Sequence, residues 1–280
     1  MRHGKLVIAG LALMLAACSQ DDQKAETLLQ RAESSFQQGK FNEAKLQIDS
    51  IRVLYPKAFD ARKGAIKLMQ QVDLEEQRRS LVYLDSMMMV KQASLDSIKG
   101  DFVLEKDTAY QEIGNYFHPS QVVKKNVGRS FLRAQVSERG EMSLTSIFCA
   151  GGKLHHTAVK VSSKDAFAET PISTDSYETT DLGRAIEKAD YKLGNDGGVV
   201  AFIVANRDAK SLKLEFIGDR SYRTMLYAKD IKAIAAVSDL ARILSSMEGI
   251  RNEQKEAKQK IQFVTRKIDE AAAKAKSEKK

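Results

Sequence analysis

Two cysteines in 280 residues, Cys18 and Cys149, cannot build a disulfide framework, so the fold must rest on packing. Helix breakers are sparse as well. There are three prolines, and ten of the sixteen glycines lie between Gly114 and Gly218. The flanks of that segment are rich in Ala, Leu, Lys, Glu and Gln, which predicts helices enclosing a turn-rich centre. A membrane-spanning apolar run is missing too: the stretch from Leu6 to Leu15 is about half the ~20 residues such a helix needs. Neither sign of charge dominates, with 45 Lys and Arg against 37 Asp and Glu. The densest basic cluster, Lys274, Lys276, Lys279 and Lys280, reads as a solvated helix end, and no nucleic-acid partner is expected.

At the N-terminus, Arg2 and Lys5 precede the apolar run, a pattern that predicts a signal peptide over residues 1–17. Its end, Leu15-Ala16-Ala17-Cys18, resembles the lipobox of bacterial lipoproteins. The resemblance implies cleavage before Cys18 and alkylation of its sulfur by a diacylglycerol. Two or more acyl chains then anchor stably, each buried methylene contributing about 0.8 kcal/mol. Residues 18–24 would form the lipidated tether. Within it, Ser19, Asp21 and Asp22 resemble the acidic export signals that send some lipoproteins of the Bacteroidetes to the outer face of the outer membrane. The same aspartates would also favour the start of a following helix through its dipole. The expected location is the cell envelope, on the periplasmic or surface face of the outer membrane. Cleavage removes Arg2 and Lys5, leaving 45 − 2 = 43 basic against 37 acidic side chains. Cys149 is then the one free thiol, read as a small buried apolar residue.

Residues 25–58 resemble one tetratricopeptide unit, with Leu28, Ala32, Phe36, Gly39, Phe41, Ala44, Ile48, Ile51 and Pro56 in equivalent places. Arg31 and Ser35 depart from it, standing where that family places an apolar residue and a tyrosine. One such unit cannot bury its own faces, so a packing role is expected rather than a peptide groove. Residues 59–115 read as a long helix with Leu74, Leu81, Met88, Leu95 and Phe102 seven apart and Leu84 and Ile98 on companion positions. Residues 231–280 carry a longer stripe in steps of three and four: Leu240, Ile243, Met247, Ile250, Gln254, Ala257, Ile261, Val264, Ile268, Ala271 and Ala275. The two stripes predict an antiparallel coiled-coil pair carrying the centre at one end as a stalk, or a homo-oligomer built through the same faces.

The centre, 116–230, reads as β-structure, with strands near 130–136, 142–149, 156–161, 199–205, 212–217 and 222–227 and a short helix over 182–193. The fold class is therefore α+β: a tetratricopeptide-like hairpin and two long coiled-coil helices flanking an inserted antiparallel β-sandwich or barrel-like domain. Chemistry is thin here. His155 and His156 are adjacent, so on a strand they face opposite ways, and no metal site is expected. Cys149 with His155 lacks an orienting group for nucleophilic catalysis. Asp175, Glu178 and Asp181 lack the spacing of a calcium loop. The glycines at 151–152 and 194–198 do not form a phosphate-cradling loop, so no cofactor is expected. These readings lead to a non-catalytic binding or scaffolding module that recognises a protein, peptide or glycan. The alternative is a polymer hydrolase whose carboxylates come from separate strands, marked by a clustered pair with raised pKa values.

Overall fold

A computed structural model describes the backbone of residues 4–181 and 183–277 and the side chains of residues 20–181 and 183–277. The side chains of the expected signal peptide, including Leu15, Ala16 and Ala17, and those of Cys18 and Ser19 lie outside the described residues. The chain divides into two compact units, Met1–Ser86 with Asn252–Lys280, and Met87–Arg251. No described helix is long and apolar enough to cross a membrane.

In the first unit, α1 (Gly4–Gln37) and α2 (Phe41–Leu54) form an antiparallel hairpin. The turn between them passes through Gly39 at φ 73, a conformation that glycine adopts without a Cβ penalty. Ala25, Leu29 and Ala32, at helical spacing on α1, share a core with Ala44, Ile48 and Ile51 of α2. The next helix, α3 (Phe59–Ile98), adds Ala61, Ala65, Leu68 and Val72 to it. Alanine at these contact positions lets the backbones of α1 and α2 approach closely, while α3 joins them through its side chains. Ser35, at the position where a tyrosine was expected, is buried and donates to Gln47 Oε1 at 3.2 Å. Lys45 ties α2 to α3 by reaching Asp73 at 3.2 Å and Glu76 at 2.5 Å. The last helix, α5 (Ala228–Ser277), returns antiparallel to α3, with Gln254 donating to Asp85 at 2.7 Å.

The second unit contains two antiparallel sheets. One runs β1 (Val103–Glu105), β2 (Asn115–Phe117), β3 (Phe131–Ser137), β4 (Met142–Ala150), β8 (Arg184–Lys192), β7 (Ser176–Asp181). The other runs β10 (Ser221–Tyr227), β9 (Ser211–Ile217), β5 (Ala158–Ser162), β6 (Phe167–Glu169). Strand alternation sends Leu132, Ala134 and Val136 of β3, Leu144 and Phe148 of β4, and Leu212, Leu214 and Phe216 of β9 into one core. The short helix α4 (Val199–Ala205) gives Val199, Val200 and Ile203 to that core. From α5 come Ile231, Ile234, Val237, Leu240 and Met247, and from α3 Leu95.

Three expectations are corrected. The helix expected over 59–115 ends at Ile98, and β1 and β2 follow within that span. Residues 182–193, expected to be helical, hold β8: Ala185, Glu187, Ala189 and Tyr191 are buried in strict alternation between β4 and β7, and pairing on both sides overrides helix-forming composition. Residues 199–205, expected to be a strand, form α4. There Gly197 and Gly198 turn the chain at φ 61 and 79, and the Asp196 carboxylate accepts the Val200 N–H at 2.7 Å, starting a helix from β-branched residues. The hairpin expected around residues 218–220 is present, β9 pairing β10 from Ile217 to Ser221.

Gly140, in the β3–β4 turn at φ 86, lies directly against the backbone of Leu244 and Ser245 in α5, so an added Cβ would collide with atoms that cannot rotate away. Gly140→Ala is expected to lower the unfolding free energy by about 2–4 kcal/mol. Gly100→Ala, with open space around it, should change it by less than about 1 kcal/mol. Denaturant titration followed by circular dichroism measures both, and equal midpoints would refute this packing of turn on helix.

Candidate functional site

Two groups of polar side chains in the second unit are candidates. One is buried. Glu187 projects from β8 into the core, where its side chain is 1% exposed. An ionised carboxylate there would be costly without partners, and the loop before β5 supplies them. Leu154 and His155 donate their N–H groups to Oε1 at 2.6 and 3.0 Å, and His156 donates to Oε2 at 2.9 Å. To bring three successive N–H groups to one carboxylate, His155 adopts φ 53, the left-handed region uncommon outside glycine. The His156 ring adds Nδ1 to Oε2 at 3.0 Å. Because the ionised carboxylate can only accept, Nδ1 carries the proton. Nε2 is then free to accept from the Ser146 hydroxyl at 2.7 Å.

Burial works against the charge of Glu187, but the backbone N–H groups of His156 and Leu154, with the His156 ring, outweigh it and hold its pKa below the usual carboxylate value. Burial lowers the His156 pKa, and the pull of Glu187 does not restore it. A neutral histidine between a serine and a carboxylate is the order of groups in a nucleophilic triad. Here Ser146 is 0% exposed, and Phe216 and Phe148 stand edge-on to the imidazole at 5.2 and 6.1 Å. A substrate has no route to the hydroxyl, and the trio acts as a clamp joining β4, β8 and the loop.

The second group is open. On the outward face of the first sheet, β3 presents Phe131 and Arg133, β4 presents Ile147 and Cys149, and β8 presents Ile186 and Lys188. With the 123–129 loop they enclose a pocket of about 220 Å³. Arg129 stacks on Phe131 at 4.5 Å and pairs with Asp230, which is buried in the first turn of α5. Arg133 lies over Phe117 at 5.0 Å, and its buried Nε has no hydrogen-bond partner among the described residues. Burial disfavours its charge and lowers its pKa, against the pull of Glu105 and Asp190. Neither Arg133 nor Lys188 joins an ion pair of 4.0 Å or less among the described residues.

Of the residues singled out in the sequence, Asp21 and Asp22 are exposed on α1. In the C-terminal stripe, Leu240, Met247, Ile250 and Ala257 are buried, Ile243, Gln254, Ile261, Val264 and Ile268 half-buried, and Ala271 and Ala275 exposed. His155 and His156 do face apart: His155 is exposed against Glu178 at 2.8 Å, His156 is in the core. Cys149 is buried, and it lines the open pocket rather than meeting His155. Asp175, Glu178 and Asp181 do not converge, and among the described residues no group of three or more His, Cys, Asp or Glu could hold a metal ion. The carboxylates clearly displaced in pKa, Glu138 through the Gly114 N–H, Glu187 and Glu215 through Arg223, all move downward, opposite to a general acid. Glu187 and Arg133 were missed in the sequence. Their signal is a charged residue inside a strand's alternation: for Arg133 the strand near 130–136 is legible and the signal was there to read, whereas for Glu187 it appears only once β8 is known to be a strand. No family model, curated protein or solved structure matches the chain.

Two predictions test the clamp. Glu187→Gln replaces an acceptor of three N–H groups by an amide, and is expected to cost about 2–4 kcal/mol in denaturant unfolding; a loss under about 1 kcal/mol would mean the carboxylate is not held this way. The folded-state pKa of His156 is depressed below its ordinary 6.5, so its contribution is present above that value and lost as pH falls toward the folded one. Stability should decline from pH 7 to pH 5, and His156→Gln should flatten the slope. The part that remains comes from His118, which burial also depresses. An unchanged slope would sink the assignment.

Proposed function

We propose that the chain is a lipoprotein of the bacterial cell envelope, anchored in the outer membrane through acylated Cys18, and that its β-rich unit is a non-catalytic binding module. The anchor rests on the sequence Leu15-Ala16-Ala17-Cys18 behind a short apolar run, which is too brief to span a bilayer and is followed by a chain with no other apolar segment of that kind. One contrast within the β-rich unit carries the binding reading. The arrangement that resembles catalytic machinery, Ser146 with His156 and Glu187, is sealed in the core, whereas the open pocket holds Arg133 and Lys188, which join no ion pair among the described residues. Groups preorganised for chemistry would need the reverse placement, a reachable nucleophile and compensated surroundings. In this reading the α1–α2 hairpin packs against α3 as one tetratricopeptide-like unit and serves the fold rather than a ligand.

Metabolic labelling with an alkynyl fatty acid, followed by protease treatment of intact cells, tests the anchor and its face. The native chain is expected to take up label and a Cys18→Ser variant none; label retained by the variant, or absent from the native chain, would overturn the anchor. Shaving of the native chain from whole cells, lost when Asp21 and Asp22 are replaced by alanine, places the binding module outside the cell. Protection until lysis places it in the periplasm.

A further inference from the structure

We infer that the open pocket beside Arg133 binds a small carboxylate with a short apolar body, its carboxylate against Arg133 and Lys188 and its apolar part against Phe131, Ile147 and Ile186. The inference rests on the β-rich unit being a binding module and adds the class of ligand. Charge is the first argument. Arg129 is already engaged by Asp230, and Asp181 is the one acidic residue among those lining the pocket, so two cations face one carboxylate. A partly buried guanidinium whose Nε meets no acceptor is a group that an anion would stabilise. Its planar fork matches the two oxygens of a carboxylate.

The lining supplies the second argument. Ile147 of β4 stands opposite Phe131 of β3, Ile186 lies one strand further on β8, and both isoleucines are half-buried, so a fully hydrated inorganic ion would leave the apolar side of the pocket wet. Size is the third. A dry cavity of about 150 Å³ accepts benzene, so about 220 Å³ corresponds to roughly nine non-hydrogen atoms, below the range of drug-sized ligands. A folded protein surface or a long acyl chain does not fit such a space. A six- to eight-carbon carboxylate does.

The test is a proton–nitrogen NMR titration of the purified full-length chain with sodium hexanoate, hexan-1-ol, sodium acetate and sodium phosphate. Hexanoate is expected to shift the amides of Arg133, Ile147, Cys149 and Lys188 saturably, with hexan-1-ol and acetate binding about tenfold or more weakly. Arg133→Met and Lys188→Gln should each weaken hexanoate by about tenfold. If Arg133→Met loses its fold, Lys188→Gln and Ile147→Ser still decide the matter, one removing charge and the other apolar contact. Hexan-1-ol binding as tightly as hexanoate would overturn the role of the cations. Phosphate or acetate binding as tightly would reduce the site to an ion site, and the absence of saturable shifts would overturn the pocket as a site. Failure here leaves acylation of Cys18 untouched, and a native chain that takes up no fatty-acid label yet binds hexanoate would overturn the anchor alone.

Discussion

A carboxylate set in the middle of a sheet and pointed at the core constrains everything near it. Left alone, the ionised Glu187 would cost several kcal/mol. It is stabilised only if backbone N–H groups reach it, and they come from one loop in which Leu154, His155 and His156 donate in succession. That requirement fixes His155 in the left-handed region and turns its neighbour's ring inward, where Ser146 on β4 completes the chain of hydrogen bonds. The loop also has to lie close to the β9–β10 turn. Gly218 packs directly on the backbone of Leu154 and His155, and Asp219 donates to the Leu154 carbonyl at 3.0 Å. The strand that follows, β5, leaves this loop already in register with β9. One buried charge thus links the two sheets through a loop that carries no regular structure of its own.

Helices hold the rest by a different principle. In the first unit the contact surface is built from small side chains, Ala25, Ala32, Ala44, Ala61 and Ala65, with Ile48, Ile51 and Leu68 between them. Such a surface gains less apolar area per residue than one of leucines, but between α1 and α2 it brings the backbones close and adds dispersion contacts. Along α5 the stripe is fully buried from Leu240 to Ile250, apart from half-buried Ile243, half-buried at most positions to Ile268, and exposed at Ala271 and Ala275. Burial along the stripe declines toward the C-terminal end of the helix, which is the behaviour of a helix whose stability comes from tertiary packing more than from its own propensity.

How much of this was legible in the sequence depends on which physical signal each element carries. The period of α5 is long and repeated, so single exceptions such as Gln254 do not hide it, and the face it predicts is buried at Leu240, Met247, Ile250 and Ala257 and half-buried or exposed elsewhere. The β9–β10 hairpin is marked by its turn residues. By contrast β8 is written in Ala, Glu, Lys and Asp, residues that favour helix on propensity, and only its alternation and its two neighbours make it a strand. The opposite holds for α4, whose valines and isoleucine favour strand while Asp196 and two glycines start a helix. Local propensity pointed the wrong way in both, and tertiary partners decided. Glu187 was illegible for the same reason, whereas Arg133 lies in a strand the sequence does predict, near 130–136, and it was the pocket residues on β8 that were hidden. His155 and His156 face apart because the chain passes through the left-handed region at His155 in the loop before β5, not by strand alternation, and Glu187 lies in a segment whose composition favours helix, so its alignment with His156 could not be foreseen.

A buried and a half-buried charge on the first sheet clarify each other. Glu187 and Arg133 both project from central strands of one sheet, Glu187 toward the core and Arg133 toward the outer face. The inward charge is fully answered by protein groups, which is the condition for a charge that serves only the fold, because a structure without ligand must satisfy it alone. The outward charge is answered in part: its guanidinium has an aromatic ring beneath it and carboxylates at a distance, but no acceptor at Nε. If Arg133 served only to cover Phe117, methionine would do so without the desolvation of a cation. Its charge is retained beside Lys188 in a pocket lined by Phe131, Ile147 and Ile186, where an anion with an apolar body would complete both the electrostatics and the packing.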